Sequence, residues 1–175
     1  MMLVEQERLR KEFAFREALI AGFAIRGNVT FNLYDAACGN RDTNRMFALW
    51  ESLDARINHQ HLKLGNNWRN TWTRSRWIVV MERKKYGHKH LHGMVSYENA
   101  QEWKAAFDAA CEKEKKSRLD GWTWCSEVIT EERGGERGWI DYMLTSASER
   151  NYETDRFDFR VSKNCAVFRN QGTSQ

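Results

Sequence analysis

The chain contains no proline. At an average usage of about 5% a chain of 175 residues would carry several, so Pro-rich linkers are excluded and one compact unit is favoured. No segment approaches the roughly 18 consecutive apolar residues of a membrane-spanning helix, and no membrane partner is expected. The opening MMLVEQERLRKEF carries acids and no long apolar stretch, which speaks against a secretory signal. The cysteines are few and far apart (Cys38, Cys111, Cys125 and Cys165), with no CxxC pair. A disulfide framework or zinc knuckle is therefore not expected, and a reducing compartment is. Internal repeats and low-complexity tracts are missing too. The length leaves no room for an added ATPase-sized module. The expectation is a single domain over 1–175, with a helical lead-in at 1–22 and a flexible tail at 165–175.

What is present is globular in character. Hydrophobic residues make up 41%, aromatics 13% and charged residues 30%, too apolar for a disordered chain and too polar for a membrane protein. The net charge of +4 is mild, and local clustering says more. Arg83, Lys84, Lys85, His88 and Lys89 fall within seven residues with no acid among them, a pattern suited to phosphate contacts. A second run, Lys113, Lys115, Lys116 and Arg118, is interleaved with Glu112 and Glu114 and reads as a solvated helix end. Of eight tryptophans, Trp50, Trp77, Trp103 and Trp139 fit buried faces. Trp68 and Trp72 lie in a polar loop beside Arg69 and Arg74. There they either pack the loop or stack on unpaired bases.

Periodicity gives the element order. Residues 3–20 read as a charged amphipathic helix. GNVTFNLY (27–34) is β-branched and aromatic after a glycine, hence a strand. Asp42 or Thr43 caps a helix with Met46, Leu49, Trp50, Leu53 and Ile57 at helical spacing. Residues 62–74 carry turn chemistry. Strands are expected at 77–82 and 90–97, joined by a turn at 83–87. Asn99 caps a helix whose apolar face is Trp103, Ala106, Phe107 and Ala110. A strand at 121–130 and a helix at 139–150 follow, the helix burying Ile140, Met143, Leu144 and Ala147, and a short strand ends the order at 157–161. This β-α-β-β-α-β order predicts an α+β fold, an antiparallel split βαβ (ferredoxin-like) sheet with helices packed mainly on one face.

Chemistry concentrates on the hairpin at 77–97. His90 and His92 are two apart, so the strand period aims both imidazoles to one face and Leu91 to the other. Glu82 ends the apolar run WIVVM on the neighbouring strand, placed to join them. Two imidazoles and a carboxylate leave open positions on a divalent ion, and the mixed N/O set suits Mn²⁺ or Mg²⁺ acting on phosphate. The competing reading is a polar, solvent-facing strand with two surface histidines. His88 shares the parity but lies in the turn, as a rival ligand or a DNA contact.

These residues resemble a known family. HKHLHG (88–93) is similar to the motif of HUH endonucleases, two histidines around a hydrophobic residue. The closer resemblance is to the Rep-type initiators of rolling-circle replication. There an acid, a short turn and HLH form the second motif, as Glu82, His90 and His92 do here. Phe31-Asn32-Leu33-Tyr34 resembles the first motif, and Asp141-Tyr142-Met143-Leu144-Thr145 the third, a helix bearing the nucleophilic tyrosine. The three span 29–145 in the family's order. Thr145 stands where the family carries lysine, a donor without charge; Lys89 or Arg150 are the candidates to replace it.

The resemblance implies the HUH nuclease fold, metal ligation by Glu82, His90 and His92, and Tyr142 as the nucleophile. It implies nicking of a single-stranded or hairpin origin, giving a 5′-phosphotyrosine link and a free 3′-hydroxyl. A separate helicase and a host polymerase would be partners. The compartment would be a bacterial cytoplasm, for a phage or plasmid, or the host nucleus, for a eukaryotic virus. Lys84, Lys85, His88, Lys89, Thr145, Trp68, Arg69 and Trp72 are the candidate DNA contacts. Tyr142 lies beside the buried stripe of its helix, so its phenol reaches the histidines only if that helix crosses their face of the sheet. Tyr152 is the reserve nucleophile, and Tyr86 and Tyr97 are structural or DNA contacts. An HUH transposase or relaxase shares these motifs, though a third histidine in place of the acid would mark a relaxase. A non-catalytic nucleic-acid-binding domain on the same fold is the alternative from another class, with Tyr142 as a core-edge aromatic.

Overall fold

A computed structural model describes residues 16, 17, 19–21, 23, 27–35, 43–64, 75–83, 89–150 and 159–162. The elements run β1 (Gly27–Asp35), α1 (Thr43–Arg56), a π-helical turn (Ile57–His61), β2 (Arg76–Arg83), β3 (Lys89–Tyr97) and α2 (Ala100–Glu114). They continue with β4 (Trp122–Val128), a 3-10 turn (Glu131–Arg133), α3 (Gly135–Arg150) and β5 (Phe159–Val161). Residues 16, 17, 19–21 and 23 are helical. The tail at 165–175 lies outside the described residues. Among the described residues no helix is long and apolar enough to cross a membrane.

The five strands form one sheet in the order β4-β1-β3-β2-β5, every pair antiparallel. Strand β3 lies between β1 and β2, and β1 between β3 and β4. Each β-α-β unit is thus split by a strand of the other, as the order of elements predicts. Asn99 caps α2 as expected, its side chain accepting from the Glu102 N–H at 3.1 Å. Buried Asp54, Asn58 and Ser75 tie the end of α1 to the entry of β2. Asn58 Nδ2 donates to Asp54 Oδ1 at 2.8 Å, and Ser75 Oγ to the same oxygen at 3.1 Å.

Alternation builds the main core. Val29, Phe31 and Leu33 of β1, Trp77, Val79 and Met81 of β2, and Leu91 and Val95 of β3 point to one face. There they meet Met46, Trp50 and Leu53 of α1 and Trp103, Phe107 and Ala110 of α2. Phe31 stacks on Trp50 with ring centroids 4.2 Å apart. Its ring also lies against β3 at Gly93, where an added Cβ would come within 2.3 Å of it; the glycine after the second histidine is required by this packing.

The sheet is covered on both faces, two of the helices sharing the main-core face and the third packing on the other. Helices α1 and α2 share the main-core face. On the other face, Ile140 and Met143 of α3 pack with Leu19, Phe23, Ile78, Val80 and Met94 as a second core. The cause is in the strands: WIVVM (77–81) is apolar at every position, the mark of a strand buried on both sides. Helix α3 begins at Gly135, four residues before the expected start. Gly134 and Gly135 hold left-handed conformations (φ 87° and 57°) between the 3-10 turn and the helix, and this glycine-rich entry hides the first turn from a periodicity argument.

Candidate active site

The site forms on the α3 face of β3. His90 lies opposite Glu82 of β2 and Tyr34 of β1, and His92 opposite Val80 and Asn32. Directly opposed residues share a sheet face, so the backbone puts Glu82 on the histidine face, as the hairpin argument requires. The Glu82 side chain lies outside the described atoms.

The competing reading of two surface histidines is overturned: His90 is 4% exposed and His92 3%. Aromatic rings cover them. Tyr34 stacks on His90 at 4.8 Å between centroids, with planes 20° apart. Trp139 meets His92 edge-on at 5.8 Å, and Tyr142 lies 5.3 Å from the same imidazole. Trp139 and Tyr142 touch in turn, at 5.7 Å. Helix α3 therefore does cross the histidine face, and its edge position brings Tyr142 to it. Tyr142 keeps 46% of its surface exposed, with one flank on His92.

Thr30, on the same face of β1, orients His92. Its hydroxyl donates to the Gly93 carbonyl at 3.3 Å and lies 3.5 Å from His92 Nε2.

Two imidazoles on one sheet face, with Glu82 opposite His90 in the strand register, are residue types that a divalent cation of borderline hardness takes. The two rings lie 6.4 Å apart and 26° from parallel. Among the described residues no three His, Cys, Asp or Glu groups gather at one point.

The other candidates divide as follows. Lys84, Lys85 and His88, together with Trp68, Arg69 and Trp72, lie outside the described residues, as do Tyr86 and Tyr152. Lys89 opens β3 opposite Arg83, and Thr145 lies in α3 three residues after Tyr142; their side chains are outside the described atoms, as is that of Arg150. Tyr97 is half-buried at the end of β3. Trp139, expected on a buried face, is partly buried against the second core and also meets His92. Tyr34 was named only as the end of the first motif and Thr30 not at all, although GNVTFNLY carries their signal: Asn28, Thr30, Asn32 and Tyr34 alternate with Val29, Phe31 and Leu33.

Compared with family models, with curated proteins and with solved structures, the chain matches none.

Proposed function

We propose that this chain is a metal-dependent DNA nicking endonuclease and strand transferase of the HUH, Rep-type class, acting on a single-stranded or hairpin origin. The observation that carries the reading is the contact between Tyr142 and His92. A half-exposed phenol on a helix lies 5.3 Å from one of two paired, buried histidines, with an acid on the strand opposite the other.

Glu82, His90 and His92 would hold Mn²⁺ or Mg²⁺. Such an ion supplies positive charge to the non-bridging oxygens of a bound phosphate. The remaining chemistry belongs to the chain. A neutral phenol is a weak nucleophile, so attack by Tyr142 depends on proton loss as the bond to phosphorus forms. The Tyr142 oxygen bonds to the scissile phosphorus, the bond to the 3′-oxygen breaks, and that oxygen leaves as a hydroxyl after taking a proton. The 5′ side of the DNA stays on the tyrosine, and attack by a 3′-hydroxyl reverses the step. Trp139 and His92 hold the phenol ring on two sides. The proposed partners follow: an origin strand, a separate helicase and a polymerase extending the 3′-hydroxyl, in a bacterial cytoplasm or a host nucleus.

The test is incubation with a labelled pool of single-stranded oligonucleotides and Mn²⁺. The expected product is an adduct that survives boiling in detergent. It should be absent from Tyr142→Phe, which keeps the ring, and present in Tyr152→Phe. An adduct that persists in Tyr142→Phe and vanishes in Tyr152→Phe transfers the role. The second reading, a non-catalytic nucleic-acid-binding domain, draws on Thr145 in the place of the family's lysine. It requires oligonucleotide binding with no adduct in any variant.

A further inference from the structure

Helix α3 is held from outside as well as by the sheet. Arg16 places Nε and Nη2 each 2.5 Å from the two Asp141 oxygens. Its neighbour Glu17 accepts from Arg137 Nη1 and Nη2 at 3.1 and 3.2 Å. Arg137 and Asp141 are four apart, on successive turns of one side of α3. The two pairs are both two-pronged and opposite in polarity: the N-terminal segment supplies a cation to one turn and an anion to the next. Buried Leu19 and Phe23 anchor the segment against Ile140 and Met143. Asn28 Nδ2 donates to the Phe23 carbonyl at 3.0 Å and to Glu136 Oε1 at 2.7 Å, joining β1, the segment and the first turn of α3.

Such half-exposed ion pairs add little to global stability, but a fork on each of two turns fixes how a helix is rolled about its axis. Roll is the coordinate that aims Tyr142. At a radius with side chains of about 5–6 Å, a roll of about 20° carries a side-chain tip about 2 Å. Asp141, which receives the Arg16 fork, is the residue next to Tyr142. Glu17–Arg137 resists the same roll one turn earlier, and its opposite polarity disfavours a slide that would pair Arg16 with Arg137.

We propose that Arg16 is a positioning residue, which through Asp141 sets the roll of α3 so that the Tyr142 ring rests on His92. The catalytic consequence rests on the proposed function; the placement of the ring does not. Two readouts keep them apart. One is the NMR shift of the His92 Cε1–H, which senses the Tyr142 ring with no DNA present. The other is the rate of adduct formation with single-stranded oligonucleotides and Mn²⁺. In Arg16→Gln the His92 signal should move toward its position in Tyr142→Leu. The adduct rate should fall about 10- to 100-fold, the size a misplacement near 1 Å produces, with oligonucleotide affinity unchanged. The exchanged pair Arg16→Asp/Asp141→Arg should recover both, which a loss of folding could not do; this also covers an unstable Arg16→Gln. A His92 signal and an adduct rate equal to wild type in Arg16→Gln would overturn the proposal, as would an exchanged pair no better than either single variant. If wild type forms no adduct while the His92 signal moves and recovers as described, the positioning stands and the endonuclease reading falls.

Discussion

Tyr34 lies flat on His90, across the β1–β3 pairing, with ring centroids 4.8 Å apart and planes 20° apart. A stacked neighbour restricts the rotation of an imidazole and so sets where its nitrogens point. Aromatic pairs contribute about 0.5–1.5 kcal/mol beyond buried area, so Tyr34→Leu should weaken Mn²⁺ binding by roughly 2- to 10-fold, the same energy expressed as a ratio. Tyr34→Phe should leave it unchanged. Mn²⁺ titration followed by electron paramagnetic resonance reads this directly. Equal weakening in Phe and Leu variants would assign the effect to the hydroxyl instead.

Burial of both histidines makes them contributors to the fold. His92→Ala, without metal, should cost about 1–3 kcal/mol in urea denaturation, because it opens a gap under Trp139 and Tyr142. Mn²⁺ should raise the midpoint of wild type, since a ligand that binds only the folded chain stabilises it. It should leave His92→Ala unmoved. Glu82→Gln, which removes charge and keeps shape, should also lose most of the Mn²⁺ effect; a full effect in that variant would take Glu82 out of the ligand set.

Gly93 is sandwiched by the core beneath the site. Gly93→Ala should destabilise by about 1–3 kcal/mol, the range for overpacking, because the new methyl meets the Phe31 ring. Phe31→Leu in the same chain should return part of that loss. A strictly additive pair in denaturant unfolding would mean that the methyl and the ring do not meet.

His61, at the end of the π-helical turn, has its pKa lowered by burial first and by the charge of Lys113 second. The folded chain therefore disfavours the imidazolium. Above the ordinary value of about 6.5 both states are neutral there and stability is full. As pH falls below it the unfolded chain takes up the proton first, and stability declines until the folded value is passed. Thermal midpoints between pH 8 and pH 5 should fall less in His61→Gln than in wild type, and Lys113→Gln should lie between. Identical pH profiles in wild type and His61→Gln would remove this contribution.

Much of the site was legible because strand parity is rigid. One residue's placement fixes its neighbours, so HLH and the acid across the hairpin sufficed to place Glu82, His90 and His92 on one face. The same rule applied to GNVTFNLY reaches Tyr34. Helix α3 was harder. Its period shows which side is apolar, but not which face of the sheet receives it. The unbroken apolar run at 77–81, buried on both sides, held that answer. Trp139 serves both the second core and the histidines, and its place on the apolar stripe announces only the first of these. The Arg16–Asp141 pair spans 125 positions, and no local pattern announces a partner at that distance.

The placement of the histidines on β3 has a kinetic meaning. This strand is hydrogen-bonded along both edges, to β1 and to β2, so its amides should be among the last to exchange with heavy water. Tyr142 rides on a helix that, among the described residues, meets the sheet through side chains such as Ile140 and Met143, so opening it need not unzip the sheet. The two halves of the site thus belong to different layers of the stability hierarchy. On the proposed reading, a DNA end carried by Tyr142 could swing away with α3 while His90 and His92 stay in register to receive the next strand.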